Sequence, residues 1–468
     1  MKTYTMTIDG QQVGGSDGTY PVINPATEEV LAEAPACSAA QLDEAVAAAQ
    51  RAFPAWKKDE GARRKALADC AAALFAEAQE IGKTLTLEQG KPLAHAMGEV
   101  MGAAKRLKDC AEQKLPDRVL KDTEKGRLEI QFKPLGVVAG ITPWNFPVMI
   151  AMTKIAPALL AGNTVVLKPS EYTPLSTLEI GTVMSRHFPP GVINVVSGEG
   201  KIGAQLSGHP GVRKVSFTGS VATGRRVAEA GASDLKRVTL ELGGNDPAVV
   251  LDDADPAQIA GSLFWSAFTN SGQICIAVKR LYVPENLYDP MVRTLSAMAE
   301  KVKVGPGIEQ GTEMGPVNNA MQFDRVNSLI ADAKNKGAEF TAGGESPEGK
   351  GYFIKPSIAT GIDESVDLVG EEQFGPALPV MPYKDVDEVL QRANSTSYGL
   401  GASVWSSNEE RALEVAAELE AGTVWVNQHL VLSQEAPFGG AKNSGIGLAG
   451  GEWGLEDVMQ LQVVNLRR

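Results

Sequence analysis

Nucleophiles, metal ligands and phosphate cradles leave particular residue types at set spacings, and this 468-residue chain offers few of the common patterns. Its four cysteines, Cys37, Cys70, Cys110 and Cys275, show no C-x-x-C spacing. They suit neither a zinc site nor a disulfide framework, so a reducing compartment and no metal are expected. The histidines His95, His187, His209 and His429 lack H-E-x-x-H spacing, and no G-x-S-x-G elbow is present, which removes the metalloprotease and serine-hydrolase readings. Gly198-Glu-Gly200-Lys-Ile-Gly203 has the letters of a dinucleotide fingerprint after the apolar run VINVV. However, the next strand ends in Thr218-Gly219-Ser220 without the expected acid, so these glycines are read as a tight strand-to-helix turn. GESPEGK at 344–350 fails as a P-loop because Gly351 replaces the magnesium-holding hydroxyl. Taken alone, Cys275 would be a buried small hydrophobe, as most free cysteines are.

The elements that must position any site follow from periodicity. Ser38-Ala-Ala-Gln41 has capping-box spacing, and Leu42, Val46, Ala49 and Phe53 follow at helical intervals, so a helix is expected from Ser38. Further on, GVVAGI, NTVVLKP, VINVV and KVSFTG alternate with helical stretches, including one through Lys154 and one near 175–186. Strands separated by helices predict parallel βαβ crossovers. A second cycle begins after Gly243-Gly244 with AVVL, a helix start at Asp255-Pro256, and RLYV. The expected fold class is therefore α/β, with two doubly wound parallel-sheet lobes. RLEIQF at 127–132 and the C-terminal VVNLRR are strand-like outsiders. An arm that pairs with another subunit and an edge hairpin on the parent domain both remain open for them.

Composition bounds the partners. A formal net charge of −13, with no basic cluster to reverse it locally, argues against nucleic acid. The N-terminus turns polar at once, and no stretch approaches the roughly 20 apolar residues of a membrane span. A cytoplasmic location and no membrane partner are expected.

ITPWNFP (141–147), NTVVLKPSEYTP (163–174), FTGS (217–220), LELGGNDP (240–247), NSGQIC (270–275), EEQFGP (371–376) and PFGG (437–440) change the weight on Cys275. In this order, from INPAT near residue 23 to GEWG near residue 454, the chain resembles the aldehyde dehydrogenase superfamily. The 34 positions between Glu241 and Cys275 are also similar to that family's spacing of base and nucleophile. The resemblance implies a Rossmann-like cofactor domain (1–120 and 136–243), a catalytic domain (244–443) and a small β oligomerisation arm (121–135 and 444–468). A homodimer or homotetramer is the implied assembly.

The same resemblance implies the chemistry. Cys275 would attack an aldehyde carbonyl as thiolate, since sulfur is a better nucleophile than any neutral side chain. Asn145 and the backbone N–H of Cys275 would meet the oxyanion, where a single donor is typically worth about 3 to 4 kcal/mol of barrier. Loss of hydride to NAD, or to NADP, leaves a thioester that Glu241 would hydrolyse as general base. Partial burial beside Leu240 and Leu242 is expected to raise its basicity. Lys154 matches a position implicated in proton handling. Without the resemblance, Asn145 would be a local cap, Glu241 a surface charge ending a strand, and Lys154 a helix-surface lysine. For the cofactor, the implied contacts are Lys168 and Glu171 at the adenosine ribose, Gly219 and Ser220 at the pyrophosphate, Glu372 and Phe374 at the nicotinamide ribose and ring, and Thr142, Trp144 and Leu242 elsewhere along the cofactor. A carboxylate at Glu171 favours NAD.

Departures point to the substrate. Thr153 and Thr269 stand where many members carry tunnel aromatics, whereas Phe146 and Phe438 keep theirs, which favours a bulky or aromatic aldehyde over a short one. Ala449 and Leu448 replace a frequent glutamate and arginine, so proton release is expected to take another route. Two rival readings stand beside this one. A CoA-acylating aldehyde dehydrogenase typically lacks the glutamate present at 241. A cofactor-independent thiol esterase would leave Lys168, Glu171, Glu372 and Phe374 without a task.

Overall fold

The computed structural model describes residues 2–468. The expected first helix spans Ala39–Trp56, and its cap is reciprocal: Ser38 accepts from the Gln41 backbone while the Gln41 side chain accepts from the Ser38 N–H. Beyond it, Glu60–Gln89 and Leu93–Glu112 form a long helical pair.

The first sheet has the parallel core Ile193–Val195, Thr164–Lys168, Val137–Ile141, Lys214–Thr218 and Arg237–Glu241, in that spatial order. Thr164–Lys168 and Val137–Ile141 are buried along their whole length, as strands covered on both faces must be. Chain order runs outward in one direction from Val137–Ile141, then returns to Lys214–Thr218 on its other side. The topological switch point lies between those two strands, where open α/β sheets bind ligands at their carboxyl ends. Met6–Ile8 and Gln11–Val13 close one edge antiparallel; Gly445–Ile446 closes the other against Leu240 and Glu241.

The second sheet runs Glu339–Ala342, Ser357–Thr360, Ala377–Tyr383, Val278–Pro284, Asp246–Val250, Gly401–Trp405 and Thr423–Val426. It is parallel except at Glu339–Ala342. One hydrophobic core spans the first sheet and its helices, and two others cover the second. The two strand-like outsiders pair with each other: Met459–Arg467 runs antiparallel to Gly126–Pro134, which is flanked by Arg118–Thr123. Gly198 to Gly203 make a turn into the helix Gly200–Gly208, and residues 344–350 are loop. Among the described residues no helix is long and apolar enough to cross a membrane, and no group of three or more His, Cys, Asp or Glu could hold a metal ion.

Candidate active site

Four parallel strands of the first sheet end at residues singled out above. Val137–Ile141 leads into Thr142, Trp144, Asn145 and Phe146; Thr164–Lys168 ends on Lys168; Lys214–Thr218 leads into Gly219 and Ser220; and Arg237–Glu241 ends on Glu241. The chain then crosses through Gly243-Gly244 to Asp246–Val250 of the second sheet, so the carboxyl edge of one sheet faces the amino edge of the other. Backbone contact makes glycine necessary at Gly244. A Cβ on Gly243 would run into the Glu372 carboxylate, and one on Gly244 would stand 2.6 Å from the Cys275 carbonyl.

Cys275 sits on a loop between the helix Pro256–Phe268 and the strand Val278–Pro284. Asn270, Ser271 and Gly272 occupy the left-handed region at φ 54°, 58° and 71°. Such backbone costs on the order of 1 kcal/mol or more at each non-glycine position and persists only where the surroundings hold it. Gln273 does much of that holding. It is fully buried, donates from Nε2 to the Asn270 carbonyl at 2.8 Å, and accepts from the Asn318 N–H at 2.8 Å. Asn145 is also buried, and its Nδ2 donates to the Gln273 carbonyl at 2.8 Å, which fastens it to the Cys275 loop and leaves its second amide hydrogen for another acceptor. It does not cap the helix Pro147–Ala161, whose N-cap is Phe146 with no side-chain bond. Cys275 is half-buried and packs with Phe146, Phe438 and Leu430 against Ile274, Ile276 and Trp425. Burial pushes its thiol up to about 12, Lys279 opposes that rise, and Glu241, Asp246 and Glu372 add to it.

Glu241 is 9% exposed, so it is no surface charge. Its Oε2 accepts from Thr218 Oγ1 at 3.2 Å, and its Oε1 is buried without a partner. Lys154 is likewise buried, with Nζ 3.2 Å from Ser216 Oγ. Burial lowers its ammonium to about 8, with the Glu241 charge opposing the shift and Lys214 assisting it.

The proposed cofactor contacts surround the switch point. Lys168 is buried, its ammonium lowered by that burial, and its Nζ lies 3.4 Å from Glu171, whose side chain is 35% exposed. Thr142 is buried with an unpartnered hydroxyl. Ser220 caps the helix Val221–Ala232 by accepting from the Thr223 N–H, while the Gly219 N–H is committed to the Glu241 carbonyl. An anion there would meet the first N–H groups of the helix and not that of Gly219. Leu242 packs over Gly224. Trp144 and Phe374 meet edge to face at 5.3 Å, and Phe374 holds φ 48°. The Glu372 Oε1 accepts from the Gly244 N–H at 3.0 Å. Burial raises the Glu372 carboxyl, and Lys279 opposes the rise.

Of the substrate candidates, Phe146 and Phe438 join the Cys275 cluster. Thr153 is half-buried and turns its hydroxyl onto the Ile150 carbonyl of its own helix, and Thr269 ends the helix Pro256–Phe268. Ala449 exchanges both backbone hydrogen bonds with Phe438, so this departure bears on the ring that packs near the sulfur.

Sequence reasoning missed the supports. Lys91, buried, donates to Glu99 at 2.5 Å and to the Asn145 carbonyl at 2.8 Å, and its Nζ stands 3.8 Å from the Phe146 ring centroid. Glu99 in turn accepts from the Val148 and Met149 N–H groups. Breaking such a pair strands a buried charge. Glu99→Gln is expected to cost about 3 kcal/mol, read as a lower urea midpoint, and Glu99→Gln with Lys91→Met should recover part of it. A double variant no more stable than the single one would contradict this account.

A sheet switch point beside a loop-mounted cysteine is the arrangement of an α/β oxidoreductase of the thiol-dependent class. The chain matches the aldehyde dehydrogenase family over residues 13–464, and it belongs to that family. It is 41% identical over 473 residues to the phenylacetaldehyde dehydrogenase of Pseudomonas fluorescens, covering 97% of this chain and 94% of that one. Its fold superposes on the NAD+ complex of an aldehyde dehydrogenase from Bacillus cereus with TM-score 0.97 at 36% identity, covering 100% of this chain and 97% of that one. An E. coli NADP-dependent enzyme gives the same TM-score and identity, covering 99% and 98%.

Proposed function

We propose that the protein oxidises an aldehyde to its carboxylic acid with NAD through a thioester on Cys275. The observation that carries this reading is the joining of Asn145 to the Cys275 loop by the bond from its Nδ2 to the Gln273 carbonyl, across the seam between the two sheets. The residues fit a dinucleotide. Thr142 offers an unused buried hydroxyl, the helix at Ser220 offers its first N–H groups, and Lys168 with Glu171 lies at a strand end where a ribose would rest. Glu372, Phe374, Trp144 and Leu242 would flank the nicotinamide end. When bound, the cofactor supplies a hydride acceptor and a positive charge beside the thiol.

The chain's own residues do the rest. The Cys275 thiol gives its proton to solvent water, its thiolate forms a bond to the carbonyl carbon, and the carbon–oxygen π pair moves onto oxygen, giving a thiohemiacetal anion. Asn145 Nδ2 and the Cys275 N–H donate to that oxygen. After hydride leaves the carbon, the thioester remains. Glu241 takes a proton from a water that attacks the acyl carbon, and the sulfur departs as thiolate. Its unpartnered Oε1 is the acceptor this needs. Lys154, lowered to about 8 by burial with the Glu241 charge opposing that shift, would take that proton onward.

Phe146, Phe438 and Leu430 around the sulfur suit a bulky or aromatic aldehyde. The partly exposed Glu171 beside Lys168 suits the two ribose hydroxyls of NAD and opposes a 2′-phosphate. Assembly as a homodimer or homotetramer through the three-stranded arm is part of the reading. Val463 and Leu466 on its long edge strand are 58% and 49% exposed and need cover. A cytoplasmic location accords with four free cysteines.

The test is a panel of aromatic and aliphatic aldehydes with NAD and then NADP. NADH should appear with stoichiometric acid, faster for aryl-substituted aldehydes. NADP should serve about tenfold less well or worse, the size of one misplaced charge. No NADH with any aldehyde would refute the reading, and acid formed without NADH would favour the thiol esterase.

A further inference from the structure

Lys279 sits where the second sheet loses register. Asp246 is opposite Val278 and Pro247 is opposite Arg280, which leaves Lys279 without a partner in the neighbouring strand. Such a bulge re-aims a side chain. Here it aims an almost fully buried ammonium back under the Cys275 loop. Lys279 Nζ donates to the Ile274 carbonyl at 2.9 Å and to the Cys275 carbonyl at 2.6 Å, and lies 3.6 Å from Glu372 Oε1. The strand holds Glu372 from a second side, because Gln373 Nε2 donates to the Lys279 carbonyl at 3.1 Å. One buried cation thus grips both the peptide groups that carry the nucleophile and the carboxylate proposed to take a ribose hydroxyl.

We propose that Lys279 is a positioning residue that couples the seating of the nicotinamide ribose on Glu372 to the placement and ionisation of Cys275, an inference that rests on the cofactor reading above. Glu372 shares its Oε1 between the Gly244 N–H and Lys279. A ribose hydroxyl bonded to Glu372 competes for that oxygen. The Lys279 charge is then less neutralised and acts more strongly on the sulfur whose carbonyl it holds. The charged groups that face Cys275 are Lys279, Glu241, Asp246 and Glu372. Asp246 is fully buried, its carboxyl raised to about 8 by that burial, and His429, whose Nε2 lies 3.8 Å from it, is lowered to about 3. Burial favours the neutral form of both. Glycine at 244 keeps the pieces within reach, as any side chain there would part the Cys275 carbonyl from this crossing.

The test is alkylation of Cys275 by iodoacetamide, followed at that residue by peptide mass spectrometry across pH, with and without saturating NAD. The proteins compared are the wild type, Lys279→Met, Lys279→Arg and Glu372→Gln. Lys279→Met should slow cofactor-free alkylation near neutral pH about tenfold, since the thiolate fraction falls tenfold for each unit its pKa rises. It should also shift the pH profile upward and flatten the response to NAD. Lys279→Arg should restore most of both, and Glu372→Gln should keep the Lys279 cation yet lose the NAD response. A Lys279→Met profile and NAD response that match the wild type would overturn the proposal. If that variant does not fold, an unchanged NAD response in Glu372→Gln overturns it equally. Alkylation consumes no aldehyde, so an intact NAD response in a protein that oxidises no aldehyde would sink the catalytic reading and leave the coupling standing.

Discussion

Cys275→Ala is expected to lower aldehyde-dependent NADH formation by on the order of 10⁴-fold or more, the scale on which enzymes lose rate when their nucleophile is removed. No other sulfur can substitute. Cys37, Cys70 and Cys110 are buried in the core of the first sheet and its helices, outside the cluster around Cys275. The side chains packed directly against Cys275 are hydrocarbon and aromatic, and no second thiol is among them. Folding should survive, because the loop is held by bonds from the Gln273 amide, the Asn318 backbone and the Lys279 ammonium, and among the described residues none donates to or accepts from the sulfur. NAD binding, followed by fluorescence quenching, should therefore stay close to wild type while turnover disappears. A variant that keeps more than about one hundredth of the rate would show that bond formation to this sulfur is not the step, since the loss would then amount to under about 3 kcal/mol.

What could be read from the sequence was local. The capping box at Ser38, the alternation of strands and helices, and the glycine pair after Glu241 are short-range signals, and the structure carries all three. Family motifs added residues that no periodicity could rank, and these converge on the facing edges of two sheets. The supports were illegible for a physical reason. Lys91 meets Glu99 eight positions away but acts on Asn145 more than fifty positions on, and Gln373 reaches the Lys279 carbonyl across 94 positions. Long-range buried polar pairs have no period, and a lysine in a sequence looks like a solvated surface charge until the fold encloses it. Lys154 makes the same point, because its buried place on the helix Pro147–Ala161 is set by the sheet beneath it and by no pattern along the chain. The Gly219 N–H is a finer case. Its commitment to the Glu241 carbonyl is a strand-to-strand bond that follows only from the pairing of Lys214–Thr218 with Arg237–Glu241.

Glu241→Gln separates the two halves of the reaction. Forming the thiohemiacetal and losing hydride ask nothing of this carboxylate if its task is to deprotonate the attacking water, so the first turnover should still release about one NADH per active site. The steady rate that follows should fall about 10²- to 10⁴-fold, the range typical of a lost general base. The amide matches the carboxylate in shape, and Thr218 can still donate to its oxygen, so the strand end and the Gly219 N–H bond to the Glu241 carbonyl should remain in place. What is lost is the free Oε1 as a proton acceptor. Mass spectrometry of the stalled enzyme should find the acyl group on Cys275. Loss of the burst together with the steady rate would move Glu241 to an earlier step, the activation of the thiol, where its negative charge at present opposes ionisation of Cys275. An unchanged steady rate would leave water activation to another group, and Lys154, buried beside Glu241 and lowered to about 8, would be the next to replace.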